Sequence, residues 1–478
     1  MPYRSLNWLL ICCLSALPEL AWAVTTTTET RLDLTNHTAG YFALIAFLSA
    51  YTLVVLEEYT HLRKSKPVIL AAGLIWVAIA LAYGGQSGLP AEAARHNLLE
   101  YAELFLFLLV AMTYVNALEE RRIFDALRSW LLHKGFNLRQ IFWLTGVMAF
   151  FISPVADNMT TALLMCAVIL AVGRDDHAFI AVSCINIVIA ANAGGAFSPF
   201  GDITTLMVWQ KGVVEFWEFF ALFIPSVLNW FIPALIMSFT VSKSAPQTLD
   251  SRPVPVKRGA FAILALFIFT IALAVTFHNS LHLPPVLGMF TGLALLQLYG
   301  YYLKKTYHRA RIRGYFDPFE SNMAHVQPTA RQGFDIFDKI ARSEWDTLLF
   351  FYGVVMCVGG LGFIGYLEMA SQLLYGQLGA TYANIAIGLL SSVVDNIPVM
   401  FAVLTMNPEM PVGQWLLVTL TAGVGGSLLS IGSAAGVALM GQARGHYTFM
   451  SHLRWTPVIA LGYFGSIAAH MLLNRSMF

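Results

Sequence analysis

The sequence predicts an all-α polytopic membrane protein made of inverted-topology repeats, with two re-entrant hairpins, two broken helices and about ten transmembrane spans. Its composition is the first reason. Hydrophobic residues make up 58% of the chain and charged residues 12%, whereas a soluble domain carries about 25% charged residues. The second reason is that apolar stretches, each close to the roughly 20 residues of a bilayer core, recur along the chain. The third is that Asp-Asn pairs interrupt two of the longer stretches.

The N-terminal segment, residues 1–23, is predicted to be a cleaved signal peptide. It has the basic residue Arg4, a short apolar stretch over 9–17 and the small-residue site Ala21-Trp22-Ala23. An uncleaved first helix is the alternative interpretation. In both cases the polar residues that follow are expected outside the cytoplasm, so the mature N-terminus faces outward.

The apolar stretches and the basic loops together predict the topology. Lys and Arg favour the cytoplasmic side, and every basic loop falls there only if two of the interrupted stretches enter and leave on one face. We therefore predict re-entrant hairpins at 140–172, from the cytoplasmic face, and at 382–406, from the outer face. Eight uninterrupted spans are predicted near 40–58, 67–84, 98–118, 219–242, 259–277, 284–303, 346–366 and 454–473, and two broken helices at 179–210 and 413–440.

Each predicted hairpin carries an Asp-Asn pair at its tip, Asp157-Asn158 in the first and Asp395-Asn396 in the second. A carboxylate at membrane depth costs about 3 kcal/mol on insertion scales, so such residues are rare and usually mark an ion path. Irregular backbone at that depth is tolerated where it is buried in protein or lines a wet cavity. The two tips are therefore the first candidates for a transport site.

The hairpins belong to a larger repeat. Glu100-Tyr101-x-x-Leu104 before the first hairpin matches Glu344-Trp345-x-x-Leu348 before the second, and the two spans run in opposite directions. A broken helix follows each hairpin, with Gly194-Gly195 and Gly201-Asp202 spaced like Gly425-Gly426 and Gly432-Ser433. This pattern predicts a substrate site at the repeat interface near the midplane. The predicted parts are a first repeat at 24–245, linking spans with a basic cytoplasmic loop at 246–343, and a second repeat core at 344–478.

The side chains of the tips and breaks predict a cation site. Carboxylate, amide and hydroxyl oxygens suit a small hard cation, and neither tip sequence contains Arg or Lys to attract an anion. Neighbouring carboxylates in a low-dielectric setting titrate as a coupled pair, so protons and a metal cation would compete for them. The simplest consequence is antiport, in which deprotonated Asp157 and Asp395 bind the ion and reprotonation ejects it. The hydroxyl and further carboxylate candidates are Asp202, Thr204, Thr205, Ser427, Ser430 and Ser433.

Other function classes fit less well. No phosphate-binding G-x-x-x-x-G-K-[ST] loop occurs, which argues against an ATP-driven pump. The five cysteines lack metal-ligand spacing and predict no disulfide framework, and no cofactor is expected. The net charge of +1 gives no field that would recruit nucleic acid. An intramembrane aspartyl protease using Asp157 and Asp395 is an alternative, but each Asp lies in a hairpin break around which the chain repeats.

These residues resemble the NhaD-type sodium/proton antiporters of the broad ion transporter (arsenite/dicarboxylate) superfamily, over nearly all of the chain after the signal segment. The resemblance implies a secondary transporter of a bacterial inner membrane that exchanges cytoplasmic Na⁺ or Li⁺ for external protons. It also implies a frequently dimeric fold, so a second copy of the chain is an expected partner, besides membrane lipid. The matching motifs are Ser153-Pro154-Val155-Ala156-Asp157-Asn158-Met159-Thr160-Thr161, Asn192-Ala193-Gly194-Gly195-Ala196-Phe197-Ser198-Pro199-Phe200-Gly201-Asp202-Ile203-Thr204-Thr205 and Ser391-Ser392-Val393-Val394-Asp395-Asn396-Ile397-Pro398.

The family pattern also implies the residues of the ion path. Na⁺ or Li⁺ would bind at Asp157 and Asp395, with Glu100 and Asp346 as accessory acids, although a solvated span end is the alternative interpretation of these two. Dicarboxylate relatives carry Ser-Asn-Thr at the tips, whereas this chain has Asp-Asn, which argues against a carboxylate substrate. A dicarboxylate, citrate or arsenite carrier of the same superfamily is the alternative function. The implied path residues are Asp157, Asn158, Asn192, Asp202, Thr204, Thr205, Asp395, Asn396, Ser430 and Ser433.

Overall fold

A computed structural model describes residues 31–84, 88–173, 176–244, 254–312 and 335–478 of the chain. The predicted signal segment at 1–23 and most of the basic loop at 304–343 lie outside these residues. Within the described ranges every regular element is a helix. Ten of these helices are long and apolar enough to cross a membrane, which confirms the predicted all-α polytopic class.

The first half of the described chain contains the first hairpin and the first broken helix. Two short helices, Glu57–Thr60 and the 3₁₀ turn Glu218–Leu222, lie between the longer ones. The longer helices are α1 (Thr38–Val55), α2 (Ser65–Ala82), α3 (Leu89–Glu120), α4 (Ile123–His133), α5 (Leu138–Ala156), α6 (Asn158–Gly173), α7 (His177–Gly195), α8 (Ile203–Gln210) and α9 (Phe223–Ser238).

The second half contains the linking spans and the second set of hairpin and broken helix. Short segments at Tyr366–Ser371, Gln372–Gln377 and Arg475–Met477 complete it. The helices are α10 (Ala260–Leu281), α11 (Pro285–Ile312), α12 (Ile336–Ala341), α13 (Trp345–Ile364), α14 (Ala380–Leu390), α15 (Asn396–Met406), α16 (Val412–Gly425), α17 (Ala434–Gln442), α18 (Phe449–Leu453) and α19 (Thr456–Leu473).

The first hairpin is formed by α5 and α6, which reverse at a single residue. Asp157, which ends α5, has φ 56°, a positive backbone angle that residues other than glycine rarely adopt. Ser153 on α5 contacts the Ala191 carbonyl of α7 at 2.7 Å, whereas Cys166 on α6 lies 3.8 Å from Cys184 of α7, sulfur to sulfur. The two legs therefore run in opposite directions along α7, with the tip beside the end of that helix.

The second hairpin is formed by α14 and α15, and its legs are short. Each leg has 11 residues, about 16 Å of helix at 1.5 Å per residue, which is roughly half of a 30 Å bilayer core. The Asn384 side-chain nitrogen near the start of α14 lies 3.7 Å from the Met410 sulfur just after α15. The chain therefore returns toward α14 after α15, which is consistent with the predicted re-entrant hairpin.

Matching contacts in the two halves support the repeat. Ser153 and Ser391, each four residues before a tip aspartate, donate to broken-helix carbonyls at 2.7 Å, Ala191 O and Ala422 O. A Cβ added to Gly194 would lie 2.2 Å from the Phe150 carbonyl oxygen, and a Cβ added to Gly425 would lie 2.1 Å from that of Gly388. Glycine is required at both positions because the broken helix and the hairpin backbone touch there.

The span before each hairpin also pairs with its counterpart. Tyr101 on α3 donates to the Leu348 carbonyl of α13 at 3.2 Å, and Phe105 packs on Trp345 with ring centroids 6.2 Å apart. Because the residue numbers rise in opposite directions across this contact, α3 and α13 are antiparallel, as the inverted repeat predicts. The α3 helix has 32 residues and extends well beyond the predicted apolar span at 98–118.

Candidate functional site

One carboxylate joins the two hairpin tips. The side-chain amide of Asn158, the first residue of α6, donates to Oδ2 of Asp202 at 3.0 Å. The amide of Asn396, the first residue of α15, donates to the same oxygen at 2.9 Å. Residues from both halves of the chain thus meet at Asp202, in the break of the first broken helix.

Asp202 is held by the start of α8. It is the N-cap residue, with extended backbone at φ −136° and ψ 150°, and its Oδ1 accepts from the Thr204 backbone N–H at 3.3 Å. Thr205 closes the break, since its hydroxyl donates to the Ser198 carbonyl at 2.8 Å. A carboxylate at a helix N-terminus is favoured by the unpaired N–H groups there. Asp202 therefore has donors on both oxygens while remaining next to the tips.

Ser433 occupies the equivalent position in the second half. It is the N-cap of α17, with φ −140° and ψ 148°, and its hydroxyl oxygen accepts from the Gly436 backbone N–H at 3.2 Å. The two broken helices therefore restart in the same way, with a carboxylate in one half and a hydroxyl in the other. Of the two matching N-cap positions in the breaks, only Asp202 can therefore carry a negative charge.

The two tip aspartates have different surroundings. Asp157 accepts the backbone N–H of Thr160 at 2.8 Å on Oδ1 and the Thr160 hydroxyl at 2.7 Å on Oδ2. In the second hairpin the residue three positions after Asp395 is Pro398, which has neither an N–H nor a hydroxyl to donate. Oδ1 of Asp395 is buried and has no hydrogen-bond partner among the described residues. Asp395 therefore keeps an oxygen available that Asp157 does not.

Two residues distant in sequence contact Asp395. The phenol oxygen of Tyr51 accepts the Asp395 backbone N–H at 3.1 Å. The ammonium of Lys64 lies 4.0 Å from Oδ2, with the two side chains only 19% and 17% exposed. Sequence reasoning missed both contacts. In the sequence, Lys64 is one of three basic residues, with Arg63 and Lys66, between the first two predicted spans, a segment expected on the cytoplasmic side, and nothing local distinguishes it from the other two.

Several predicted site residues carry buried oxygen atoms that lack partners. Asn192 donates its amide to the Ser427 hydroxyl at 2.8 Å, which joins the first broken helix to the second. Its own carbonyl oxygen, Oδ1, has no partner among the described residues. The same is true, within the described part of the chain, of the hydroxyls of Thr204 and Ser430. Buried oxygens without donors are suited to coordinating a cation.

The accessory acids Glu100 and Asp346 lie outside this hydrogen-bonded group. Glu100 pairs with Lys211 at 2.9 Å and with His96 at 3.3 Å, both to Oε1. Asp346 accepts the hydroxyl of Ser65, the residue next to Lys64. The structure therefore places Asp346 in contact with the residue that follows Lys64, and Glu100 in an ion pair at the C-terminal end of α8.

The chain is similar to known membrane transporters. The family model described as citrate transporter (CitMHS) matches residues 41–423. The chain is 60% identical to the Na⁺/H⁺ antiporter NhaD of Vibrio cholerae over 94% of each chain. It is 56% identical to the NhaD protein of Alkalimonas amylolytica over 99% of this chain and 98% of the relative. Identity to sodium/proton antiporter 1 of Arabidopsis thaliana is 28%, over 97% of this chain and 78% of the relative.

Proposed function

This chain belongs to the NhaD family of Na⁺/H⁺ antiporters, within the wider citrate transporter family, and we propose that it extrudes cytoplasmic Na⁺ in exchange for external protons. It is a secondary Na⁺/H⁺ antiporter and an integral membrane protein. We extend the proposal to Li⁺ as a second cargo ion, to the bacterial inner membrane, to an outward-facing mature N-terminus and to a homodimer in lipid. Sodium and protons are the cargo in this proposal, and the protein works without a resident cofactor.

The proposed ion site consists of the tips and breaks. Asp157, Asp202 and Asp395 supply carboxylates, and the unpartnered oxygens of Asn192 and Ser430 are further ligands. The amides of Asn158 and Asn396 and the hydroxyls of Thr205 and Ser433 position the tips and breaks around them. The unpartnered hydroxyl of Thr204 is a further ligand. Oxygen ligands of this kind match a small hard cation.

The observation that carries the proposal is the shared contact of Asn158 and Asn396 with Oδ2 of Asp202. An ionised carboxylate only accepts hydrogen bonds, whereas a protonated one carries a donor. Protonation of Oδ2, or coordination of Na⁺ there, therefore changes the contact with both hairpins at once. Since a proton and Na⁺ compete for the same oxygen, binding one ion expels the other, and the hairpins respond to the exchange.

The test uses inverted membrane vesicles with a pH-sensitive dye, to which Na⁺, Li⁺ or K⁺ is added between pH 7 and 9. We expect Na⁺ and Li⁺ to move protons in wild type, and Asp157→Asn and Asp395→Asn to abolish the signal. Asp125→Asn, an exposed acid on α4, is the matched control. A well-inserted wild-type protein that gives no response to any cation would overturn the proposal. Uptake of citrate, a dicarboxylate or arsenite by that protein would favour the alternative carrier function.

A further inference from the structure

We propose that Lys64 is a tethered cation that pairs with Oδ2 of Asp395 when no Na⁺ is bound, and that Na⁺ binding to this carboxylate through its unpartnered Oδ1 drives the ammonium group away. The inference rests on the proposed function, since it assigns a competitor to one carboxylate of the proposed ion site. It makes Lys64 a positioning and specificity-determining residue of the transport cycle, although its position in the sequence marks it only as a basic loop residue.

Lys64 is held next to the tip by its own surroundings. It immediately precedes α2 as the N-cap residue, in helical conformation at φ −58° and ψ −27°. Its ammonium lies 4.7 Å from the centroid of the Phe350 ring, a cation–π distance. An aromatic face attracts an ammonium without neutralising it, so the positive charge remains available to Asp395, whose Oδ2 is 4.0 Å away.

The carboxylate of the second tip, Asp395, lacks the hydrogen bonds that stabilise Asp157 in the first. In the first tip, Thr160 donates two hydrogen bonds to Asp157. Pro398 at the matching position can donate none, so the Asp395 carboxylate lacks this local stabilisation. A mostly buried carboxylate without donors is costly unless a cation accompanies it. Lys64 supplies that cation in the empty carrier, and Na⁺ supplies it in the loaded one.

The charged groups around Lys64 also provide a place for the displaced ammonium. Two carboxylates act on it, Asp395 at 4.0 Å and Glu344 at longer range. A third, Asp346, accepts a hydrogen bond from Ser65, the next residue, and the phenol of Tyr51 borders Asp395. When Na⁺ binds this carboxylate, repulsion between the two cations moves the flexible side chain of Lys64 away from Oδ2 and toward Glu344, an exposed residue, so the ammonium becomes accessible to solvent.

A simpler alternative is that Lys64 serves only as a cytoplasmic positive charge that fixes topology. Lys66 tests this alternative, because it lies two residues away in the first turn of α2, carries the same charge and is exposed. A topological role predicts similar effects for both lysines. The tethered-cation role predicts an effect at Lys64 alone, and specifically on the Na⁺ dependence of transport.

The kinetic test measures initial proton flux against Na⁺ concentration in proteoliposomes. We expect Lys64→Met to lower the apparent KM for Na⁺ about fivefold, because a competing ion pair is removed. Lys64→Arg, which keeps a tethered cation, should stay within about twofold of wild type, and so should Lys66→Met. An unchanged or increased KM in Lys64→Met would overturn the inference. A wild-type protein without Na⁺-driven flux would instead overturn the proposed function.

A second measurement needs no variant and so does not depend on folding of the mutant. Wild-type protein is treated with an amine-acetylating reagent in Na⁺ or in choline at equal ionic strength, and modification is measured by peptide mass spectrometry. Na⁺ should increase acetylation of Lys64 relative to Lys66, since the displaced ammonium leaves its carboxylate. Equal modification of Lys64 in both salts would contradict the displacement.

Discussion

Asn158 and Asn396 donate their side-chain amides to the same oxygen atom, Oδ2 of Asp202, at 3.0 and 2.9 Å. The two asparagines stand at the tips of different hairpins, and the carboxylate belongs to the break of a third element. A change at one atom therefore reaches both hairpins without a long chain of intermediate contacts. If the hairpins enter from opposite faces, as the sequence predicts, this shared acceptor would couple their movements.

Gly195→Ala should remove most transport without preventing membrane insertion. A Cβ at this position would lie 2.2 Å from Oδ1 of Asn158, so the asparagine must move away from Asp202. Gly73→Ala is the control, because a Cβ on this helical glycine meets nothing within 4 Å and alanine favours helix. The measurement is proton flux in vesicles, normalised to the amount of inserted protein. Equal flux in the two variants would contradict the role of the Asn158 contact.

Ser153→Ala should reduce transport more than Ser391→Ala. Both hydroxyls lie 2.7 Å from a broken-helix carbonyl, and such a hydrogen bond contributes about 1 kcal/mol. Of the two hydroxyls, only that of Ser153 also lies 2.6 Å from Oδ1 of Asn158. Removing it therefore also takes away a contact that holds the Asn158 side chain at the first tip. Flux assays on the two variants side by side measure the difference. A larger loss in Ser391→Ala would show that the second contact governs the hairpins.

Single cysteines in a cysteine-free background should report the hairpin topology. Lys134→Cys and His177→Cys flank the first hairpin and should be labelled by an impermeant maleimide only after cells are permeabilised. Gln377→Cys and Glu409→Cys flank the second and should be labelled in intact cells. All four positions are exposed. Labelling from opposite faces within either pair would mean that the segment crosses the membrane instead of returning.

The pH dependence of stability should contain a contribution from His452. Burial lowers the pKa of this side chain from 6.5 to about 4. Its Nε2 lies 2.9 Å from the Ser427 carbonyl and its Nδ1 2.7 Å from the Tyr447 phenol. Below pH 6.5 the unfolded chain binds a proton that the folded chain does not, so stability falls until about pH 4, by at most about 1.4 kcal/mol per pH unit.

The measurement is the unfolding midpoint in detergent from pH 7.5 to 4.5, for wild type and His452→Gln. The variant should be less stable at pH 7.5, because two hydrogen bonds are lost, but its midpoint should fall less steeply with decreasing pH. Parallel curves for the two proteins would indicate that His452 is already charged in the folded state, contrary to its buried position.

The sequence was most informative where the chain breaks its own apolar pattern. The Asp-Asn pairs predicted both tips, and the paired glycines predicted both breaks. These residues are required by local backbone geometry: the chain reverses at Asp157, and backbones touch at Gly194 and Gly425. The helical class followed from the composition and the apolar stretches, and the order of span, hairpin and broken helix, which occurs twice, predicted the inverted repeat.

Contacts between residues far apart in the chain could not be predicted from the local sequence. Tyr51 and Lys64 reach Asp395 across more than three hundred residues of chain, and an ordinary tyrosine or loop lysine has no local signature. The α3 helix is longer than predicted because its first turns, which contain Glu92 and Arg95, are helical but polar. Hydropathy identifies apolar length, whereas helix length also depends on propensity.

The most direct test of the whole account is Na⁺-driven proton flux by purified Asp202→Asn in proteoliposomes. The substitution removes the charge that both tip asparagines contact, and hydrogen bonds to a charged group contribute about 1.5–3 kcal/mol each, so we predict at least about a tenfold lower initial rate. The exposed control Asp125→Asn should stay within about twofold of wild type. An Asp202→Asn protein that transports like wild type would contradict a mechanism centred on this carboxylate.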